Sequence, residues 1–133
     1  MAIRIVELGS PRLPGEGLRI GTVRRPPRGI PKAEFASRNY YDVWFPNLAP
    51  SEMLLEGGQS ALAASDGRAW RQFVRRFRLE MKEPNRRREI DLLAALSRRT
   101  NFSVGCYCVD ETRCHRSVLR DLLSDAGALL AAR

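Results

Sequence analysis

Trp70, Phe73, Val74, Phe77 and Met81 recur at i, i+3, i+4, i+7 and i+11, a spacing that lays five large apolar side chains along one face of a helix. The period predicts a helix over residues 67–83, with Asp66 placed to cap its start and Pro84 to stop it. Arg71, Arg75 and Arg78 fall on other faces of the same helix. A stripe this broad belongs to a core rather than to a cofactor box, so the chain must build layers around it. At 133 residues there is room for about one such core, and a single domain spanning residues 1–133 is expected. A hydrophobic fraction of 44% suits a globular chain of that size without disulfide support.

The remaining segments supply the other layers. Residues 3–8 read as a short strand, residues 9–17 as a Gly- and Pro-rich loop, and residues 18–23 as a second strand that begins with alternating apolar and polar positions. Residues 39–45 are aromatic and suit a third strand. Ser51 is placed to cap a short helix carrying Leu54 and Leu55, which Gly57-Gly58 ends. A helix is predicted over residues 86–99 with Asn85 as its cap, and a strand over residues 102–108 in which Gly105 admits a close neighbour. A last helix over residues 113–123 buries Val118, Leu119, Leu122 and Leu123. Strands alternating with helices in this order imply an α/β fold: one layered domain with a small, mainly parallel sheet flanked by helices.

Charge narrows the partners. Lys and Arg number 23 against 15 Asp and Glu, a formal net charge of +8. The excess arginine suits an anionic small molecule or nucleotide, and it leaves nucleic acid open as a partner. The clusters are spread along the chain and lack interleaved aromatics, so solvated helix faces account for many of them. No apolar run reaches the ~18 to 20 residues of a membrane span, which argues against a membrane protein. Three closely spaced cysteines, an odd number, fit a reducing cytoplasmic location. Nothing in the sequence sets the oligomeric state.

All three cysteines and the single histidine lie between Cys106 and Ser117, where a strand ends and a helix begins. Ligands of open α/β sheets bind beyond the carboxyl ends of strands. With Thr112 as cap, Cys114 and His115 would occupy the first helical turn, where free N–H groups favour an anion and a thiol ionises more readily. Helical spacing turns both residues back toward the end of the strand bearing Cys106 and Cys108, and places Arg116 off that stripe, toward a pocket rim or solvent. Three chemistries fit. Cys114 and His115 form a catalytic or ligand-binding pair; or Cys106, Cys108, Cys114 and His115 hold a metal, although their C-x-C-x₅-C-H spacing lacks the usual C-x₂-C knuckle; or the thiols simply pack in the core. The spacing does not fit a C-x₅-R phosphatase loop.

The stretch Cys106…Asp110…Cys114-His115-Arg116-Ser117-Val118-Leu119 resembles the signature of the DUF488 family of uncharacterised bacterial proteins. Arg24 with Pro27-Arg28-Gly29 is similar to that family's DRLWPRG loop, and Trp44 with Leu48-Ala49-Pro50-Ser51 to its W-x-K-x-LAPS segment. Val23, Pro26 and Pro46 stand where the family often has Asp, Trp and Lys. The resemblance implies that Arg24, Arg28, Trp44, Ser51 and His115 gather at one place. Such a set suits a planar anion, with guanidiniums on phosphate or carboxylate and an indole for stacking. One branch of the family keeps the histidine without the cysteines, which shifts weight toward His115 and the arginines.

The sequence therefore leads to an anion-binding domain of unknown cofactor and substrate. Cys114, His115 and Arg116 are its candidate catalytic residues, and Arg24, Arg28, Trp44, Ser51 and Cys106 its candidate ligand-binding residues. A basic nucleic-acid-binding module and a small Cys/His metal-binding protein are the alternatives.

Overall fold

The computed structural model describes residues 1–56, 67–107 and 114–131. Four strands form the sheet: β1 (Ile3–Glu7), β2 (Leu18–Gly21), β3 (Val43–Trp44) and β4 (Phe102–Cys106). Three long helices follow the sequence periodicity: α1 (Gly67–Glu80), α2 (Pro84–Leu96) and α3 (His115–Asp125). A shorter helical stretch covers residues 52–56.

The strands lie in the order β1-β4-β2-β3, and every pairing is parallel. The last strand in sequence is thus central. Ile5 and Ile20 both face Val104 across the ladders, which puts Ile3, Ile5, Ile20, Phe102 and Val104 on one side of the sheet. The helices cover that side. Phe73, Phe77 and Met81 from the α1 stripe and its extension meet Ile90 and Leu93 of α2 and Val118, Leu119 and Leu123 of α3 in one cluster. Trp70 and Val74 pack against it from its margin. Beyond the last helix the chain returns to bond Ile3 through Leu129 and Ala131, occupying the outer edge of β1.

The opposite face is covered by loops. Val6, Leu8, Val23 and Tyr41 form a second cluster, which Cys106 and Cys114 join at the end of β4. Two glycines allow the loop layer to sit close. A Cβ on Gly21 would stand 2.3 Å from the Tyr41 ring, and one on Gly105 would stand 2.5 Å from the Val6 carbonyl oxygen. The expectation that Gly105 admits a close neighbour therefore holds.

Several boundaries differ from the sequence expectation for identifiable reasons. The third strand spans only Val43–Trp44, because Tyr41 turns inward over Gly21 instead of joining a ladder. Helix α2 begins at Pro84, and its cap is Glu83 rather than Asn85; the Glu83 carboxylate accepts from the Asn85 and Arg86 amides at 3.2 Å. Proline loses nothing at a first helical position, where its missing N–H has no partner anyway. Helix α3 starts at His115 with Cys114 as its N-cap, two residues later than a Thr112 cap required. Cys108, Asp110, Glu111, Thr112 and Arg113 lie outside the described residues, as do Gly57, Gly58 and Asp66.

Arg19 is the largest departure. The alternation of the second strand sends it to the side opposite Ile20, yet it is fully buried. Its Nε and NH2 donate to the two carboxylate oxygens of Glu16 at 2.8 and 3.0 Å, and its NH1 donates to the carbonyls of Ser10 and Asn39. Ser103 Oγ donates to the same Glu16 carboxylate at 2.9 Å. Burial alone would raise the Glu16 carboxyl, but the hydrogen bonds from Arg19 and Ser103 hold it below its ordinary value.

Candidate functional site

Parallel pairing brings the carboxyl ends of all four strands to one edge of the sheet. Several of the sequence-predicted site residues lie along or just beyond that edge. Cys106 ends β4, Trp44 ends β3, Thr22, Val23 and Arg24 follow β2, and Cys114 and His115 open α3.

The tightest grouping is Cys106, Cys114 and His115. One ligating atom from each lies within 4.8 Å of the others, and all three residues are buried. The two sulfurs stand 2.7 Å apart. His115 reaches back across the end of β2, its Nε2 lying 2.9 Å from the Thr22 carbonyl oxygen. A carbonyl oxygen only accepts, so Nε2 carries the proton in that bond. In the neutral ring Nδ1 is then an acceptor, and it faces Cys114 Sγ at 3.9 Å. Phe77 of α1 meets the imidazole edge to face, with ring centroids 5.9 Å apart. Thr22 is itself fixed, since its amide and its hydroxyl both donate to the Gly105 carbonyl. The imidazole is thus held by a strand terminus, a core aromatic and the thiol beside it.

This arrangement differs from an open electropositive pocket at the helix start. Cys114 is 2% exposed, His115 7% and Arg116 5%. Cys114 is the cap and not a first-turn residue, and its carbonyl accepts from the Ser117 amide and hydroxyl. Arg116 does not reach a rim or solvent. Its NH1 instead donates to the Val6 carbonyl in β1 at 3.3 Å.

Arg24 and Ser51 meet elsewhere on the same side of the fold. Arg24 Nε donates to the Pro50 carbonyl and NH2 to the Ala49 carbonyl, each at 3.0 Å. These are the loop-fixing bonds that a guanidinium between two loops makes. The two residues also line a cleft of about 530 Å³ with Glu80, Glu83, Asn85 and Arg86. Ser51 fills its expected capping role, accepting from the Leu54 amide, and its hydroxyl donates to Glu80 at 2.6 Å. Both carboxylates of the cleft are already engaged: Glu80 by Ser51, and Glu83 by the start of α2.

Trp44 is anchored and open at once. Its indole N–H donates to the Val23 carbonyl at 2.8 Å, while 45% of the residue stays exposed. Trp44 and His115 therefore bind successive carbonyls, those of Val23 and Thr22. Arg28 is exposed and makes no hydrogen bond to the other described residues. The structure thus joins Cys106 with Cys114 and His115, and Arg24 with Ser51. It links the two groups through the segment Thr22-Val23-Arg24 and leaves Arg28 apart.

Sequence reasoning missed Thr22 and Phe77 as the partners of the imidazole. Phe77 belongs to the predicted stripe, but nothing in the stripe indicates which of its rings meets a histidine. Tyr107 was placed only as a strand residue. Its hydroxyl donates to the Arg25 carbonyl at 2.8 Å, and burial, more than the neighbouring tyrosines, pushes its ionisation well above the ordinary tyrosine value.

The structure is a small parallel α/β fold with a buried Cys-His cluster at the carboxyl edge of its sheet. A family model, DUF488-N3a, described as the active DUF488-N3 subclade, matches residues 3–127. The chain belongs to the DUF488 family. No curated protein and no solved structure matches it.

Proposed function

We propose that Cys114 and His115 are the working pair of a ligand-binding protein that uses thiol–imidazole chemistry on an anionic, phosphate-bearing or nucleotide-like molecule. The observation that carries this reading is the orientation of His115: its Nε2–H is committed to the Thr22 carbonyl, so its Nδ1 lone pair faces Cys114 Sγ. Transfer of the Cys114 proton to Nδ1 yields a thiolate beside an imidazolium, and the Thr22 carbonyl stabilises the new cation through Nε2–H. Cys106 Sγ, 2.7 Å from Cys114 Sγ, then donates its own S–H to the thiolate.

The ligand's anionic group belongs in the cleft beside Arg24. Two guanidiniums, Arg24 and Arg86, and the Ser51 hydroxyl line it, and its carboxylates are satisfied from within the protein. The exposed indole of Trp44 offers a stacking surface on the same edge. Arg116 supports the centre by tying the start of α3 to the end of β1.

Peptide-resolved alkylation with iodoacetamide tests the pair. At pH 7 the Cys114 rate should fall about 100-fold in His115→Gln, the low end of what a positioned base contributes. Equal rates in the two proteins, or complete protection of Cys114 in both, would remove the nucleophile from the reading.

A second reading, a metal centre, is favoured by the three converging donors and by the carbonyl that orients the histidine. Two thiolates on one zinc ion stand about 3.8 Å apart, given ~2.3 Å Zn–S bonds in a tetrahedron. The 2.7 Å sulfur spacing is shorter than either a zinc site or two separate thiols need, so the preference for the thiol reading rests on the Nδ1 lone pair that faces Cys114 Sγ. Stoichiometric zinc retained through dialysis would reverse that preference.

A further inference from the structure

Helix α1 carries a second stripe that the Cys-His centre does not use. Arg71, Arg75, Arg78 and Lys82 follow at i, i+4, i+7 and i+11, one cation per helical turn, running just past the end of the helix over about 16 Å. This line lies beside the buried stripe of Phe73, Phe77 and Met81, so packing against the sheet holds it toward solvent. Arg71, Arg75 and Lys82 are exposed, and none has an ion-pair partner among the described residues. Arg78 reaches Asp121 and Asp125 only at 3.9 Å each.

The stripe also forms one wall of a groove of about 670 Å³ between the three helices. Arg75, Arg78, Lys82 and Arg87 line it, against the carboxylates of Asp91 and Asp125. Arg87 and Arg88 at the start of α2 continue the exposed cations past the groove. Of the four cations only Arg78 has carboxylate partners among the described residues, Asp121 and Asp125, so Arg71, Arg75 and Lys82 leave a net positive line along the helix. A partner with regularly spaced negative charge complements that line.

We propose that the α1–α2 face binds the sugar–phosphate backbone of nucleic acid without reading its sequence. Regular phosphate spacing suits regular cation spacing, and guanidiniums bind phosphate with paired N–H donors. Among the described residues no aromatic ring lines the groove for base stacking, which keeps the contact to the backbone. With Arg71, Arg75, Lys82 and Arg87 each neutralising one phosphate, the logarithmic salt slope is about −3.6, so affinity falls about 100-fold between 50 and 200 mM salt.

The test is fluorescence anisotropy of the full chain with fluorescein-labelled 20-nucleotide DNA of mixed sequence, single-stranded and as a duplex, at both salt concentrations. Two double variants carry the same charge change: Arg75→Glu with Arg87→Glu in the groove, and Lys32→Glu with Arg99→Glu at exposed positions away from it. Binding of either DNA form at 50 mM salt is expected, with the groove variant at least tenfold weaker and the distant variant within about threefold of the parent. The two arms tell which backbone geometry is preferred. Equal losses in the two variants would reduce the effect to net charge and overturn the proposal. Absence of binding at 50 mM salt would overturn it as well, as would binding to phosphatidylserine vesicles without binding to DNA.

Discussion

Replacing Glu16 with Gln isolates the buried Arg19–Glu16 ion pair of the loop layer. The Glu16 carboxylate accepts two bonds from Arg19, one from Ser103 Oγ and one from the Leu13 amide. Gln keeps the shape but removes the charge and turns an N–H₂ group toward donors. Arg19 is fully buried and would be left as an uncompensated cation. Breaking such a pair from one side costs about 3 to 5 kcal/mol, a large share of the roughly 5 to 15 kcal/mol that holds a domain folded. With a urea m value of about 2 kcal/mol/M, the unfolding midpoint should drop by about 2 M, read from tryptophan fluorescence. A companion variant, Glu16→Leu with Arg19→Met, removes both charges and should recover much of the loss, because apolar replacement of a buried pair is often near neutral. A midpoint shift below about 0.5 M for Glu16→Gln would refute the reasoning, since it would mean that water reaches the pair in the folded state.

The same carboxylate sets an acid limit. Glu16 and Asp42 are both held below their ordinary values of 4.5 and 3.8, Asp42 by Arg12 and the Arg19 amide working against burial. Their contribution to stability is complete above the unfolded values and is lost as pH falls through the lower folded ones. Thermal melts should therefore change little between pH 7 and 5 on their account and fall steeply below about pH 4. Gly105→Ala should destabilise the fold by several kcal/mol or prevent its expression, because the new methyl meets the Val6 carbonyl oxygen at 2.5 Å. Phe77→Ala should cost about 3 to 5 kcal/mol by urea titration and also loosen the His115 ring. Ser51→Ala, which loses a helix cap and the bond to Glu80, should cost about 1 kcal/mol in the same assay.

Much of the scaffold was legible in the sequence because periodicity encodes which face is buried. The spacing of Trp70, Phe73, Val74, Phe77 and Met81 placed α1, and the grouping of Val118, Leu119 and Leu123 placed α3 against the same core. The cluster of Cys106 with Cys114 and His115 was legible for a related reason: a strand end and a helix start eight residues apart in sequence must be close in space. What stayed hidden depends on contacts between distant segments. Arg19 reads as an outward polar residue until Glu16, Asn39 and Ser103 are known to surround it. Arg116 reads as a rim residue until the start of α3 is fixed at His115 and Val6 is placed within its reach. The depth of Cys114 and His115 likewise comes from Phe77 and Thr22, which only the assembled layers bring to them.

His115 is the chain's only histidine, so its imidazole nitrogens give an unambiguous signal in a long-range ¹H–¹⁵N correlation spectrum of uniformly labelled protein. A single fixed tautomer with the proton on Nε2 is expected, with an Nδ1 signal that shifts when Cys114 is replaced by Ser. A ring that averages between tautomers, indifferent to Cys114, would contradict it.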